Sequence, residues 1–140
     1  MWCFTLIEET VPYSIEKKPG GLLLTFEGTL GLADIEAWRA ESQKYVLAYS
    51  EPFSVIVDMR QLLPLDRCVL AAFVDGQRYY AENGMSRSSV ILTDRLLTMQ
   101  FRRIARDSGI SAYELYVDGA KDGWAKQAVD WARYGKEPNP

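Results

Sequence analysis

Two hydrophobic periods divide this chain. Tyr13-Ser14-Ile15-Glu16-Lys17-Lys18 and Leu22-Leu23-Leu24-Thr25-Phe26-Glu27-Gly28 flank Pro19-Gly20-Gly21, a pattern that predicts an antiparallel hairpin around a tight turn. From Ala33 to Tyr49 the period lengthens. Ile35, Trp38, Tyr45, Val46 and Tyr49 recur at helical spacing, with Asp34 and Glu36 in the first turn, where acids suit the helix dipole. Pro52 separates this helix from Phe53-Ser54-Val55-Ile56-Val57-Asp58, an apolar run that predicts a buried parallel strand ending at Asp58. After a short connection through Leu62, Leu63 and Pro64, a second helix begins near Asp66. Val69, Ala72, Phe73, Gly76 and Tyr80 mark its apolar face, and Gly84 is placed to stop it. Ser88 to Thr93 reads as the next strand. Asp94 then caps a helix that buries Leu97, Phe101, Ile104 and Ala105 and exits at Gly109. Tyr113 to Val117 is the last strand, and Asp122 is expected to open a final helix through Trp124, Ala128, Trp131 and Ala132.

A hairpin followed by alternating helices and strands predicts an α/β fold, a mixed sheet with packed helices. The 140 residues, 48% apolar and 25% charged, suit one domain over residues 1–135, with Lys136-Glu137-Pro138-Asn139-Pro140 as a flexible tail. A net charge of -3 argues against nucleic acid as the partner, because phosphate neutralisation needs a broad basic surface. No segment is long and apolar enough for a membrane span. Met1-Trp2-Cys3-Phe4-Thr5-Leu6-Ile7-Glu8-Glu9 lacks the charged leader and long apolar core of a secretory signal. Cys3 and Cys68 form no disulfide framework or paired metal motif, so a cytoplasmic location is expected.

Three landmarks occur in order. Phe26-Glu27-Gly28 precedes Asp34-Ile35 and Trp38; Val55-Ile56-Val57-Asp58 precedes Asp66; and Ala128 precedes Trp131-Ala132 near the end. Over about Tyr13 to Arg133 the chain resembles the SpoIIAA-like, or STAS, domains of anti-sigma-factor antagonists, and within them the bacterial STAS/SEC14-like branch. The resemblance implies a SpoIIAA-like fold and a non-catalytic module that regulates by protein–protein interaction. In phosphorylated antagonists the helix-start aspartate is followed by a serine, which a partner kinase modifies to block binding to the anti-sigma factor. Here Arg67 and Cys68 follow Asp66, so the usual phosphoserine switch is missing. The corresponding partner surface comprises Asp58, Asp66, Arg67 and Cys68.

The candidate chemistry is sparse. Histidine is absent, which removes Cys-His and Ser-His nucleophile pairs and histidine-containing metal sites. No enzyme, cofactor or metal centre is expected. Asp66 suits either a helix N-cap or a partner contact, and Cys68 either a thiolate at a helix N-terminus beside Arg67 or a structural thiol. Gly28-Thr29-Leu30-Gly31 is too short for a phosphate-binding loop and lacks its lysine. Ser86-Arg87-Ser88-Ser89 suits either a phosphorylation site or a polar loop. Glu8-Glu9 and the pair Asp118 and Asp122 have no context that makes an acid/base couple. Arg95, Arg102, Arg103 and Arg106 lie on the third helix, with Arg102 and Arg106 on one face. Together with Trp38, Tyr45 and Tyr80 they define a second reading, a carrier or sensor of a small apolar or anionic, lipid-like ligand. The same aromatics, with Tyr49 and Tyr79, equally suit core packing or a homodimer surface.

Overall fold

The structure, a computed structural model, describes residues 11–138. The Met1 to Glu9 segment with Cys3, and Asn139 and Pro140, lie outside the described residues. The elements run β1 (Tyr13–Lys18), β2 (Gly21–Gly28), α1 (Leu32–Val46), β3 (Phe53–Leu62), α2 (Arg67–Glu82), β4 (Met85–Leu92), α3 (Arg95–Ser108), a 3-10 turn (Ser111–Tyr113), β5 (Glu114–Asp118) and α4 (Trp124–Tyr134). One five-stranded sheet has the order β1-β2-β3-β4-β5. β1 is antiparallel to β2, and every other pairing is parallel. The predicted mixed α/β sheet with an opening hairpin is therefore present.

This order fixes where the helices lie. Each crossover from β2 to β5 steps one strand in the same direction, and right-handed connections then place α1, α2 and α3 on one face. Their apolar sides meet Leu24, Val55, Val57, Val90 and Leu92 in the main core. α4 covers the other face, where Ala128 and Trp124 pack on Ile56, Ile91, Leu115 and Val117.

Aromatic rings fill the centre of the main core. Trp38 stacks on Phe73 with centroids 5.0 Å apart and on Tyr80 at 5.6 Å, while Phe26 meets Trp38 edge-on at 5.3 Å. A buried hydrogen bond of 2.6 Å joins the hydroxyls of Ser42 and Tyr80, so the Tyr80 hydroxyl is satisfied within the stack, whereas the buried Trp38 Nε1 has no hydrogen-bond partner among the described residues.

Four boundaries differ from expectation. β3 continues past Asp58 to Leu62, because an irregularity between Thr25 and Glu27 resets the register and pairs Glu27 with Gln61 and Gly28 with Leu62. β4 begins at Met85, which places Ser86-Arg87-Ser88-Ser89 in a strand rather than a loop. Ser88 and Ser89 are buried there. α1 stops at Val46, before Tyr49. Finally, α4 starts at Trp124 after Gly123 in the left-handed region (φ 84°), so the chain turns into the helix through a glycine and not at Asp122.

Candidate functional site

Parallel β2, β3 and β4 all end on the same side of the sheet, and each feeds a helix. That edge is where open α/β sheets place their sites. Three large apolar side chains stand exposed there, one after each strand: Leu32 (46%), Leu63 (54%) and Leu96 (59%). The three leucines thus occur at successive strand-to-helix crossings on that side of the sheet. Buried Leu65 anchors the β3–α2 connection, and the Leu63 amide donates to Gly28 O at 3.0 Å.

Asp66, Arg67 and Cys68 are exposed at the start of α2. Asp66 holds the N-cap position, and its carbonyl accepts from Leu70 N at 2.9 Å. Its carboxylate makes no capping bond, which corrects the N-cap reading of that side chain. Asp94 provides the contrast. Its Oδ1 accepts from Leu97 N at 2.8 Å and caps α3 as the sequence indicates.

Asp58 does not share this surface. It lies within β3, and the strand's alternation turns it with Ile56 toward the α4 face, whereas α2 packs on the opposite face. Arg60 holds it by a fork, Nε to Oδ1 and Nη2 to Oδ2, each at 2.9 Å. The Arg60 guanidinium in turn sits 4.1 Å from the Trp124 ring centroid. Burial alone would raise the Asp58 pKa, but the hydrogen bonds and charge of Arg60 outweigh it and leave the carboxyl below its usual range.

The aromatic candidates separate as well. Trp38 and Tyr80 are 0% and 2% exposed, and their rings stack on core neighbours, so they are core residues and not the wall of a cleft. Burial pushes the Tyr80 hydroxyl up to about 12. Tyr45 is half-buried at the margin of the same core.

On α3, Arg102 is exposed with its guanidinium 5.7 Å from the Tyr116 ring centroid. It lines a cavity of about 530 Å³ at the free edge of β5, together with Arg95 and Lys121. Arg106, in the last turn of α3, is not among the lining residues, so the predicted Arg102 and Arg106 pair is divided.

Sequence reasoning passed over one polar cluster entirely. Glu114 on β5 is buried beneath α2, where its Oε1 accepts from Gln77 Nε2 and from Ser88 Oγ at 3.2 Å. Its Oε2 accepts from Tyr116 Oη at 2.6 Å. Burial pushes the Glu114 carboxyl up to about 7, although those three hydrogen bonds oppose the rise. Tyr116 Oη also lies 3.3 Å from Phe101 O, so its one proton has two acceptors. The signal was present: Gln77 lies four residues after Phe73 on the apolar face of α2, and Glu114 alternates with Leu115 in a strand. Among the described residues, no group of three or more His, Cys, Asp or Glu is placed to hold a metal ion, and no helix is long and apolar enough to cross a membrane.

No protein-family model matches the chain, and no curated protein matches it significantly. Solved structures do. An uncharacterised DUF3478-family protein with a SpoIIAA-like fold from Shewanella loihica PV-4 is similar over 86% of this chain and 91% of its own, with 15% identity and a TM-score of 0.60. The Bacillus cell fate determinant SpoIIAA, in its phosphorylated form, is similar over 84% of this chain and 98% of its own, with 18% identity and a TM-score of 0.55. The element order, the five-stranded mixed sheet and these two likenesses agree, and the chain has a SpoIIAA-like, STAS-type fold.

Proposed function

We propose that this protein is a non-catalytic cytoplasmic STAS-like module that regulates by docking a partner protein on the edge where β3 passes into α2. The observation that carries the reading is the run of exposed leucines at three successive strand-to-helix crossings, beside the exposed Asp66 and Arg67. Monomer surfaces seldom align large apolar groups without a use, and an apolar strip rimmed by charge is the composition of a protein interface. A SpoIIAA-like fold supports regulation by binding, and the lack of histidine supports a non-catalytic role.

The phosphoserine switch is absent from this reading. At the α2 start, Arg67 and Cys68 carry neither a hydroxyl nor the geometry of a phosphate acceptor. Exposed Asp66 and Arg67 instead supply fixed charges of opposite sign, which select partner and orientation more than they add affinity.

Photo-crosslinking in cells tests the placement. A photoreactive residue at position 63 is expected to capture one discrete protein, and the same residue at exposed position 126 on α4 is not. Asp66→Lys with Arg67→Glu should abolish the adduct while circular dichroism stays unchanged. Equal capture from both positions, or an adduct indifferent to charge reversal, refutes the docking edge.

A further inference from the structure

We infer that the groove at the β5 edge, between α3 and the β5–α4 connection, binds a small amphipathic anion: a phosphate or carboxylate head on an apolar body. The groove encloses about 530 Å³, within the usual size of small-molecule sites. It has two chemically distinct sides.

One side is cationic. Arg95 and Arg102 from α3 and Lys121 from the β5–α4 connection line the same space. None of the three has an ion-pair partner among the described residues, whereas Arg60, Arg78 and Lys126 each pair with a carboxylate. Asp118 is the one acid in the lining, and its Oδ1 already accepts from Ala120 N at 2.9 Å. A chain of net charge -3 thus gathers three unneutralised cations around one concavity with a single acid. Such a field raises the local concentration of anions.

The other side is apolar. The Tyr116 ring forms part of its wall and Met99 stands 67% exposed at the rim, above the buried Leu92 and Val117. The Tyr116 face also holds the Arg102 guanidinium, which limits the rotamer freedom that a long side chain would lose on binding. A bare inorganic anion would leave the Tyr116 ring and Met99 uncovered. An anion with an apolar body covers both, which decides the ligand class.

The groove is separate from the β3–α2 docking edge, since Leu63, Asp66 and Arg67 do not line it, although Arg95 in its lining adjoins Leu96, the last of the three exposed leucines. Amide NMR titration with phenyl phosphate, phenylacetate, inorganic phosphate and phenol tests it. Saturable shifts confined to residues such as Thr98, Met99, Arg102, Ala120 and Lys121 are expected with phenyl phosphate, phenylacetate or both, and these two arms identify the preferred head group. Inorganic phosphate should bind at least tenfold more weakly, and phenol should not saturate. Arg102→Glu with Lys121→Glu should weaken binding at least tenfold with the remaining spectrum unchanged, whereas Arg39→Glu with Lys44→Glu on α1 should not. Absence of saturable shifts with both amphipathic anions, equal affinity for inorganic phosphate, or affinity that survives the groove reversal overturns the inference.

Discussion

A Cβ on Gly76 would lie 2.2 Å from Cζ3 of Trp38, so α2 reaches α1 at this point only because residue 76 has no side chain. Trp38 has nowhere to retreat. Phe73 and Tyr80 stack with its ring, and Phe26 closes on it edge-first. Close packing therefore overrides local preference, since an alanine in mid-helix would otherwise be favoured by about 1 kcal/mol.

Gly76→Ala is accordingly expected to destabilise the fold by about 2–3 kcal/mol in urea denaturation, the usual scale of overpacking. The atoms in the way belong to the six-membered ring of the indole. In a Trp38→Phe background, Gly76→Ala should cost at least about 1 kcal/mol less, a coupling that residues in direct contact show. Strict additivity would mean that the helices separate rather than clash.

Ser42 and Tyr80 lie on facing helices and share one buried hydrogen bond of 2.6 Å. Removing either hydroxyl strands the other, at a cost of about 1–3 kcal/mol, while removing both leaves neither member of the pair unmet. The double variant Ser42→Ala, Tyr80→Phe should therefore be more stable than the sum of its parts by about 1 kcal/mol. Chemical denaturation of the four proteins of the cycle measures this directly.

How much of this was legible depended on which signal a residue carries in one dimension. The period of Val69, Phe73, Gly76 and Tyr80 foretold α2, and Asp94 foretold the cap that its carboxylate makes on Leu97 N. Asp58 misled, because a charge after an apolar run looks like a strand end. The salt bridge to Arg60 lets the carboxylate remain within the strand, and a register irregularity in the pairing with adjacent β2 lengthens β3. Trp38 and Tyr80 showed the limit of helical spacing, which gives a face but not what covers it. Glu114 stayed hidden because, besides Tyr116 on its own strand, its partners Gln77 and Ser88 come from α2 and β4, which only the fold brings to β5. Lys121 joined Arg95 and Arg102 for the same reason.

The fork between Asp58 and Arg60 has a definite pH signature. The Asp58 carboxyl is lowered in the folded protein, so its contribution is complete above the ordinary carboxylate range and is lost as pH falls through the folded value. Asp58→Asn should destabilise the protein by about 1 kcal/mol at neutral pH, a modest figure because Arg60 is partly exposed. The difference should vanish in strong acid. A penalty that stays constant across the titration would assign the effect to packing instead of charge.

Glu114 has the opposite sign. Its carboxyl titrates near 7 in the fold against an ordinary value of 4.5, so between those two points the folded state holds a proton that the unfolded chain has released. Stability then falls as pH rises through this window and levels off above it. The full swing is on the order of 3 kcal/mol. Glu114→Gln imitates the neutral acid: the amide oxygen accepts from Gln77 and Ser88, and the amide nitrogen donates to Tyr116 Oη. Tyr116 then turns its own proton to Phe101 O, an acceptor already 3.3 Å away. The variant should gain on the wild type by an amount that grows from pH 5 to pH 8. Urea denaturation of both proteins at intervals across that range reads the trend. A constant offset across that range would mean that the hydrogen bonds from Gln77, Ser88 and Tyr116 outweigh burial and hold the carboxylate ionised in the fold as in the unfolded chain.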